Sequence, residues 1–269
     1  VFTGVGLKGN PLAVVIGADG LPDATMAAFA NWTNLSETTF LLRPTEPTAD
    51  YRVRIFTPER ELPFAGHPTL GSCQVWLSVG NTPKGNHVVQ ECAAGLIRIK
   101  RDGDRLAFAA PPLRRSGDVE EATLIRLAKG LGIERAALKA SQWCDNGPGW
   151  LGVMLPDRAT VLALRPNHAA LADLKPGVVG PWNPATDGTD AQFEVRAFVP
   201  SRSTEDPVTG SLNAGLAQWL IGAGLAPPRY VASQGTALGR AGRVHVERDG
   251  EDIWIGGRTV TCIEGRVSL

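Results

Sequence analysis

The chain lacks the marks of a metal protein, a disulfide scaffold or a polyelectrolyte binder. It has 27 basic and 27 acidic residues, so its formal net charge is zero. Nothing in that balance points to nucleic acid or to an anionic membrane surface as a partner. No apolar run approaches the length of a membrane span. The four cysteines, Cys73, Cys92, Cys144 and Cys262, form no CxxC pair and no zinc spacing. They are expected as free thiols in a reducing, cytoplasmic setting. The histidines His67, His87, His168 and His245 are scattered, which leaves no metal-site pattern. No segment is low in complexity. The chain opens Val1-Phe2-Thr3, without a Met and without a signal-like apolar segment. This opening reads as the back half of a first strand, with a few native residues expected before it.

What the sequence does contain is a repeat. Val53-Arg-Ile-Phe-Thr-Pro-Glu-Arg60 matches Val195-Arg-Ala-Phe-Val-Pro-Ser-Arg202 at Val, Arg, Phe, Pro and Arg. After two extra residues in the later copy the match resumes: Pro63 meets Pro207, Gly66 meets Gly210, His67 meets Ser211, Gly71 meets Gly215 and Gln74 meets Gln218. A spacing of roughly 143 residues is too long for a solenoid unit. With 269 residues available, it implies two similar domains, 1–112 and 113–269, with the C-terminal strand able to rejoin the first. Each would carry a strand, a Gly-polar corner and a helix.

The corners share a chemistry. Pro68 suits the first turn of a helix, where its missing N–H is no loss. His67 then falls near the N-cap, and Ser211 is an N-cap residue after Gly210. Free N–H groups and the helix dipole at such starts favour carboxylates. Two facing corners would form a small anion site; either corner alone is better explained as a capped helix. Both helices, Pro68 to about Val79 and Ser211 to Ala223, are apolar or small all round, which is the pattern of a buried helix. Each domain is therefore expected to wrap a sheet around one central helix.

Elsewhere the pattern gives a Gly-rich turn and a strand Leu12–Ile16 after the opening residues. The turn contains Asn10, which either shapes it or meets a ligand. A helix from Asp23 to about Trp32 follows. A strand starts at Glu37, which points with Thr39 and Leu41. Both faces of that strand carry large apolar residues. Glu37 there is costly unless paired, protonated or lining a cavity; otherwise it reaches water from the strand edge. Further strands are expected at Tyr51–Thr57, His87–Ala94, Gly95–Lys100 and Arg105–Ala109. The later half should hold a helix at Glu120–Leu131, strands at Ala137–Cys144 and Trp150–Leu155, and a short helix near Asn167–Leu174. Strands Phe193–Val199, Tyr230–Gln234, Gly242–Arg248, Asp252–Gly256 and Thr259–Ile263 complete it.

Four segments occur in order: Gly9-Asn10-Pro11-Leu12-Ala13-Val14, Asn34-Leu35-Ser36-Glu37-Thr38, Phe56-Thr57-Pro58 through Glu61-Leu62-Pro63-Phe64-Ala65-Gly66-His67-Pro68-Thr69, and Glu205-Asp206-Pro207-Val208-Thr209-Gly210-Ser211. Together they resemble the PhzF-like family, the phenazine-biosynthesis isomerase group, over nearly the whole chain. The resemblance implies the diaminopimelate epimerase fold: α+β, two similar domains, each a curled, mostly antiparallel sheet around a central helix, with the site in the cleft between them. It implies a homodimer and a cofactor-independent, metal-free isomerisation of trans-2,3-dihydro-3-hydroxyanthranilate or a related small acid. Glu37 would be the carboxylate that moves the proton, with His67 and Asp206 as its catalytic company. Gly66, Gly210, Ser211 and Asn10 would hold the substrate.

The chemistry agrees with that assignment. Taking a proton from carbon needs a base whose pKa is tuned toward working pH. A partly buried Glu beside other acids can hold that proton between steps. Asp206 could keep Glu37 partly protonated or accept from a substrate amine, or be only a helix-entry acid. His67 could donate to a developing enol oxygen, or be only a capping histidine. Ser211 could hold a carboxylate, or only cap. A thiol racemase needs a Cys at each corner, and these corners carry His67 and Ser211. A thiol-independent racemase or epimerase of the same fold, or a non-catalytic small-anion binder, are the alternatives.

Overall fold

The computed structural model describes residues 1–269. The chain divides into two compact units, one of residues 1–109 and 256–269, the other of residues 110–255. No helix is long and apolar enough to cross a membrane.

The first unit runs β1 (Leu12–Val15), α1 (Asp23–Thr33), β2 (Glu37–Leu42), β3 (Tyr51–Phe56), β4 (Glu61–Leu62), α2 (Gly66–Ser78), β5 (Val88–Cys92), β6 (Gly95–Asp102) and β7 (Arg105–Ala109). Its sheet has the order β1-β2-β3-β5-β6-β7, with β4 as a ribbon beside β3. β1 pairs parallel with β2, and β3 with β5; the other pairs are antiparallel. Helix α2 touches β1 and β2 at one end of this sheet and β7 at the other, so the sheet curls around it. Gly66 to Cys73 of α2 are all buried, so the helix needs apolar or small residues on every side. At Gly71 a Cβ would come within 2.4 Å of Leu12 Cδ2; glycine lets β1 lie against the helix. Ser72 Oγ donates to Thr39 Oγ1 at 2.9 Å, which fixes the helix on the Thr39 face of β2.

The second unit runs β8 (Arg115–Gly117), α3 (Glu121–Leu131), β9 (Ala140–Asp145), β10 (Trp150–Met154), α4 (Arg158–Ala163), β11 (Lys175–Pro181), α5 (Pro184–Asp187), β12 (Phe193–Val199), β13 (Thr204–Asp206), α6 (Gly210–Gly222), β14 (Arg229–Gln234), β15 (Gly242–Asp249) and β16 (Asp252–Gly257), whose last two residues belong to the first unit. The pairing repeats that of the first unit. β10 is parallel to β11, β11 antiparallel to β12, β13 a ribbon beside β12, and β14 parallel to β12. Helix α6 has 13 residues, as α2 does. It touches β9, β10 and β15. A Cβ at Gly177 of β11 would meet Leu212, one at Gly152 of β10 would meet Trp219, and one at Gly215 would meet Cys144 O of β9, so α6 lies close against these strands. Each unit is thus α+β, a mixed and mostly antiparallel sheet around one helix, as the sequence implied.

Several expectations fail. Val1–Thr3 is not a strand; its backbone is tied instead to Asn10 and Arg258, with Asn10 N on Val1 O at 3.0 Å and Thr3 N on Arg258 O at 3.0 Å. Thr259–Ile263 is irregular despite its β-branched residues, because no strand pairs with it. The helix expected near Asn167–Leu174 shrinks to one 3-10 turn at Ala169–Leu171. A helix not foreseen, α4, forms just before it. Asp157 starts α4, its side chain accepting from Thr160 N at 2.7 Å. Strand β11 was hidden by Pro176, Gly177, Gly180 and Pro181. Gly177 and Gly180 are there because Leu212 and the backbone of Asp157 leave no room for a Cβ.

Candidate active site

In the first unit Glu37 opens β2 in register with Leu12 of β1. Strand alternation puts its side chain on the same face as Thr39, and Thr39 is held by Ser72 of α2. Glu37 therefore points toward the start of α2, where His67 is the second residue. Glu37 Oε2 and His67 Nε2 are 3.1 Å apart, with side chains only 16% and 5% exposed.

The other face of the imidazole is set by Asn10. This residue is fully buried, and its Nδ2 lies 3.2 Å from His67 Nδ1. With the amide assigned in this orientation Nδ2 donates and Nδ1 accepts, so the ring proton falls on Nε2, facing Glu37; the turned amide would place it on Nδ1. Burial pushes the His67 pKa down to about 3, so the ring is neutral at neutral pH. The positive charge of the chain's N-terminus acts in the same direction, and a hydrogen bond with the Pro11 backbone acts weakly against it. The contact with Glu37 is close but not aligned as a good hydrogen bond. Chemically the arrangement is a carboxylate that can take a proton, beside a neutral ring N–H that can give one.

In the second unit Asp206 ends β13, and its Oδ2 accepts from Thr209 Oγ1 at 2.6 Å. Ser211 Oγ accepts from Trp150 Nε1 at 3.0 Å, and Ser211 O accepts from Asn146 Nδ2 at 2.8 Å.

Both corners begin earlier than the sequence implied. The N-cap residues are Ala65 and Thr209, and neither gives a side-chain cap. His67 and Ser211 are the second residues of their helices. Ser211 is therefore not an N-cap; its hydroxyl is held by Trp150 instead. Pro68 does sit in the first turn. Gly66 and Gly210 are buried first residues, so their N–H groups belong to helix starts that lack an intrahelical acceptor and carry the positive end of the dipole.

Of the sequence candidates, Asn10, Glu37, Gly66 and His67 gather in the first unit. Asp206, Gly210 and Ser211 gather in the second. Sequence reading missed Thr209, Asn146 and the role of Trp150. Thr209, three residues after Asp206, was an available signal, since a hydroxyl at that spacing reaches back to a carboxylate. Burial pushes Cys73 and Cys144 up to about 12, which keeps both protonated. No cysteine is in a disulfide, and Cys262 is exposed.

The family profile described as "Phenazine biosynthesis-like protein" matches residues 1–265. The chain is 38% identical to "Antisense-enhancing sequence 1" of Schizosaccharomyces pombe, over 99% of this chain and 96% of that one. It is 31% identical to "Trans-2,3-dihydro-3-hydroxyanthranilate isomerase" of Pseudomonas fluorescens, over 100% of this chain and 97% of that one. A crystal structure of a PhzF-family phenazine biosynthesis protein from Enterococcus faecalis superposes with a TM-score of 0.78 at 27% identity, covering 96% of this chain and 92% of that one.

Proposed function

This chain belongs to the phenazine biosynthesis-like protein family, an isomerase and epimerase family, and on that premise we propose that it moves a proton between carbons of a small carboxylate substrate with Glu37 as the base. One observation carries the reading: Glu37 and His67 meet at 3.1 Å in a buried setting where His67 is neutral. A carboxylate largely out of water is a stronger base than one in water. It takes a proton from carbon, and the same carboxyl returns that proton to another carbon. The His67 Nε2–H offers a hydrogen to the oxygen on which charge develops. Asn10 keeps that hydrogen on Nε2. Asp206 is the second acid in this reading, an acceptor for a substrate amine. The substrate we propose is trans-2,3-dihydro-3-hydroxyanthranilate or a related small acid, after the relative that bears that name.

The test is proton NMR in deuterated water with that compound, applied to the parent, Glu37→Gln and Asp206→Asn. We expect the parent to isomerise it, with deuterium appearing at carbon to the extent that the proton on Glu37 exchanges with solvent between the two steps. Glu37→Gln should lower kcat by at least about a hundredfold. Turnover by Glu37→Gln at the parent rate would remove Glu37 as the base. No turnover by the parent, followed by no deuterium exchange in a panel of small unsaturated and amino acids, would leave a small-anion binder.

A further inference from the structure

We propose that Gln234 is a positioning residue for Asp206: it grips the Thr209 hydroxyl and so fixes the direction of the hydrogen that Thr209 gives to the carboxylate. The inference rests on Asp206 being a functional acid, as argued above.

Gln234 is the last residue of β14 and is fully buried. Its amide is saturated. Nε2 donates to Asp206 O at 3.1 Å and to Thr209 Oγ1 at 2.9 Å. Oε1 accepts from Thr209 N at 3.0 Å and from Asn213 Nδ2 at 2.9 Å. The amide cannot be turned over. Doing so would set Oε1 against the Asp206 carbonyl and a donor against the Thr209 N–H. Thr209 Oγ1 must therefore accept from Gln234. Its single hydrogen is left for Asp206 Oδ2, at 2.6 Å. A glutamine that touches no carboxylate oxygen thus dictates what the carboxylate receives.

The repeat separates this device from ordinary packing. Gln90 of β5 stands to the first corner as Gln234 stands to the second, at the spacing that relates Gly66 to Gly210. It too is fully buried, and its Nε2 donates to a threonine hydroxyl, Thr69 Oγ1, at 3.0 Å. At the positions matching Asp206 and Thr209, however, the first unit has Leu62 and Ala65. Its hydroxyl sits on Thr69 and donates to the backbone oxygen of Ala65 at 2.9 Å. The glutamine grip belongs to both units; the acid and the hydroxyl aimed at it occur together in one. The nearest charged residues on β12 and β13, Arg196 and Glu205, are engaged with each other at 2.7 Å. Arg202, before β13, and Arg240, after β14, are the charged residues on the flanking loops.

The test follows the carboxyl carbon of Asp206 by NMR in protein labelled at aspartate, assigned by its loss in D206N. Thr209→Val should raise the pH midpoint of that signal by on the order of one unit, since a donor to the charged form is gone. Thr209→Ser should restore it. Gln234→Glu keeps the Oε1 acceptor but replaces the donor with an oxygen that draws the Thr209 hydrogen away from Asp206. It should also raise the midpoint; the added charge does so with or without the hydroxyl, and the rise should be larger with Thr209 present than in the double variant with Thr209→Val. Should Gln234→Glu not fold, Gln234→Met carries the same cycle. A midpoint unmoved by Thr209→Val, or a Gln234 effect of equal size with and without the hydroxyl, overturns the proposal. If D206N turns over substrate at the parent rate while the carbon signal moves as described, the functional reading of Asp206 fails and the positioning by Gln234 stands.

Discussion

At the scale of the residue, His67 shows how burial decides a side chain's state. Its folded pKa of about 3 lies below the ordinary value near 6.5, so between these pH values the unfolded chain binds more protons than the folded one. Stability therefore rises with pH through that window and is lost as pH falls from about 6.5 toward about 3. The slope from this group approaches about 1.4 kcal/mol per pH unit. Urea unfolding at pH 7 and pH 4.5 should show a larger loss for the parent than for His67→Asn, which keeps a polar side chain but cannot charge. Equal losses would mean that His67 is not the group responsible. Glu37, His67 and Asp206 were nameable because the short stretches that carry them resemble those of the family; read alone, each also had a purely structural explanation. Gln234 and Asn10 were not legible in their roles. A glutamine at a strand end has no local signature, and Asn10 next to a proline reads as turn chemistry until the fold sets it 3.2 Å from a histidine.

At the scale of the element, the two central helices were legible because no face of either is polar. The surrounding strands were legible where β-branched residues alternate, as in β3 and β12. The reading failed where tertiary packing overrode local preference. β11 carries two prolines and two glycines and is nonetheless a central strand. Gly215 belongs to the same class of effect. A Cβ there would stand 2.4 Å from Cys144 O, a backbone atom of β9 that cannot swing aside. Gly215→Ala is expected to destabilise by about 1–3 kcal/mol despite the better helix propensity of alanine. Gly222, at the other end of α6, has open space around its Cβ position, and Gly222→Ala is expected to be neutral or stabilising by up to about 1 kcal/mol. Chemical denaturation of the two variants side by side decides the matter. A neutral Gly215→Ala would show that β9 yields.

At the scale of the whole molecule, the first unit is discontinuous in sequence. It is completed by the segment from Gly256 onward: a Cβ at Gly256 would lie 2.9 Å from Ala107 Cβ, Arg258 O receives Thr3 N, and Arg258 Nε reaches Asp104 at 2.7 Å. The repeat pointed to two similar units, with the C-terminal strand able to rejoin the first, but the strand expected at Thr259–Ile263 is irregular. Ending the chain after Ile255 is expected to speed amide exchange about tenfold or more in β7 and in the backbone around Thr3, and to leave β10, β11 and β12 protected as in the parent. Hydrogen exchange read by mass spectrometry checks this. Loss of protection in both sets alike would show that the segment supports the molecule as one cooperative block. The same discontinuity orders events on the ribosome. The chain leaves the exit tunnel N-terminus first, so the second unit, contiguous from residue 110 to 255, has all its residues before the first unit does. The half that is translated first must wait, unfinished, for Arg258.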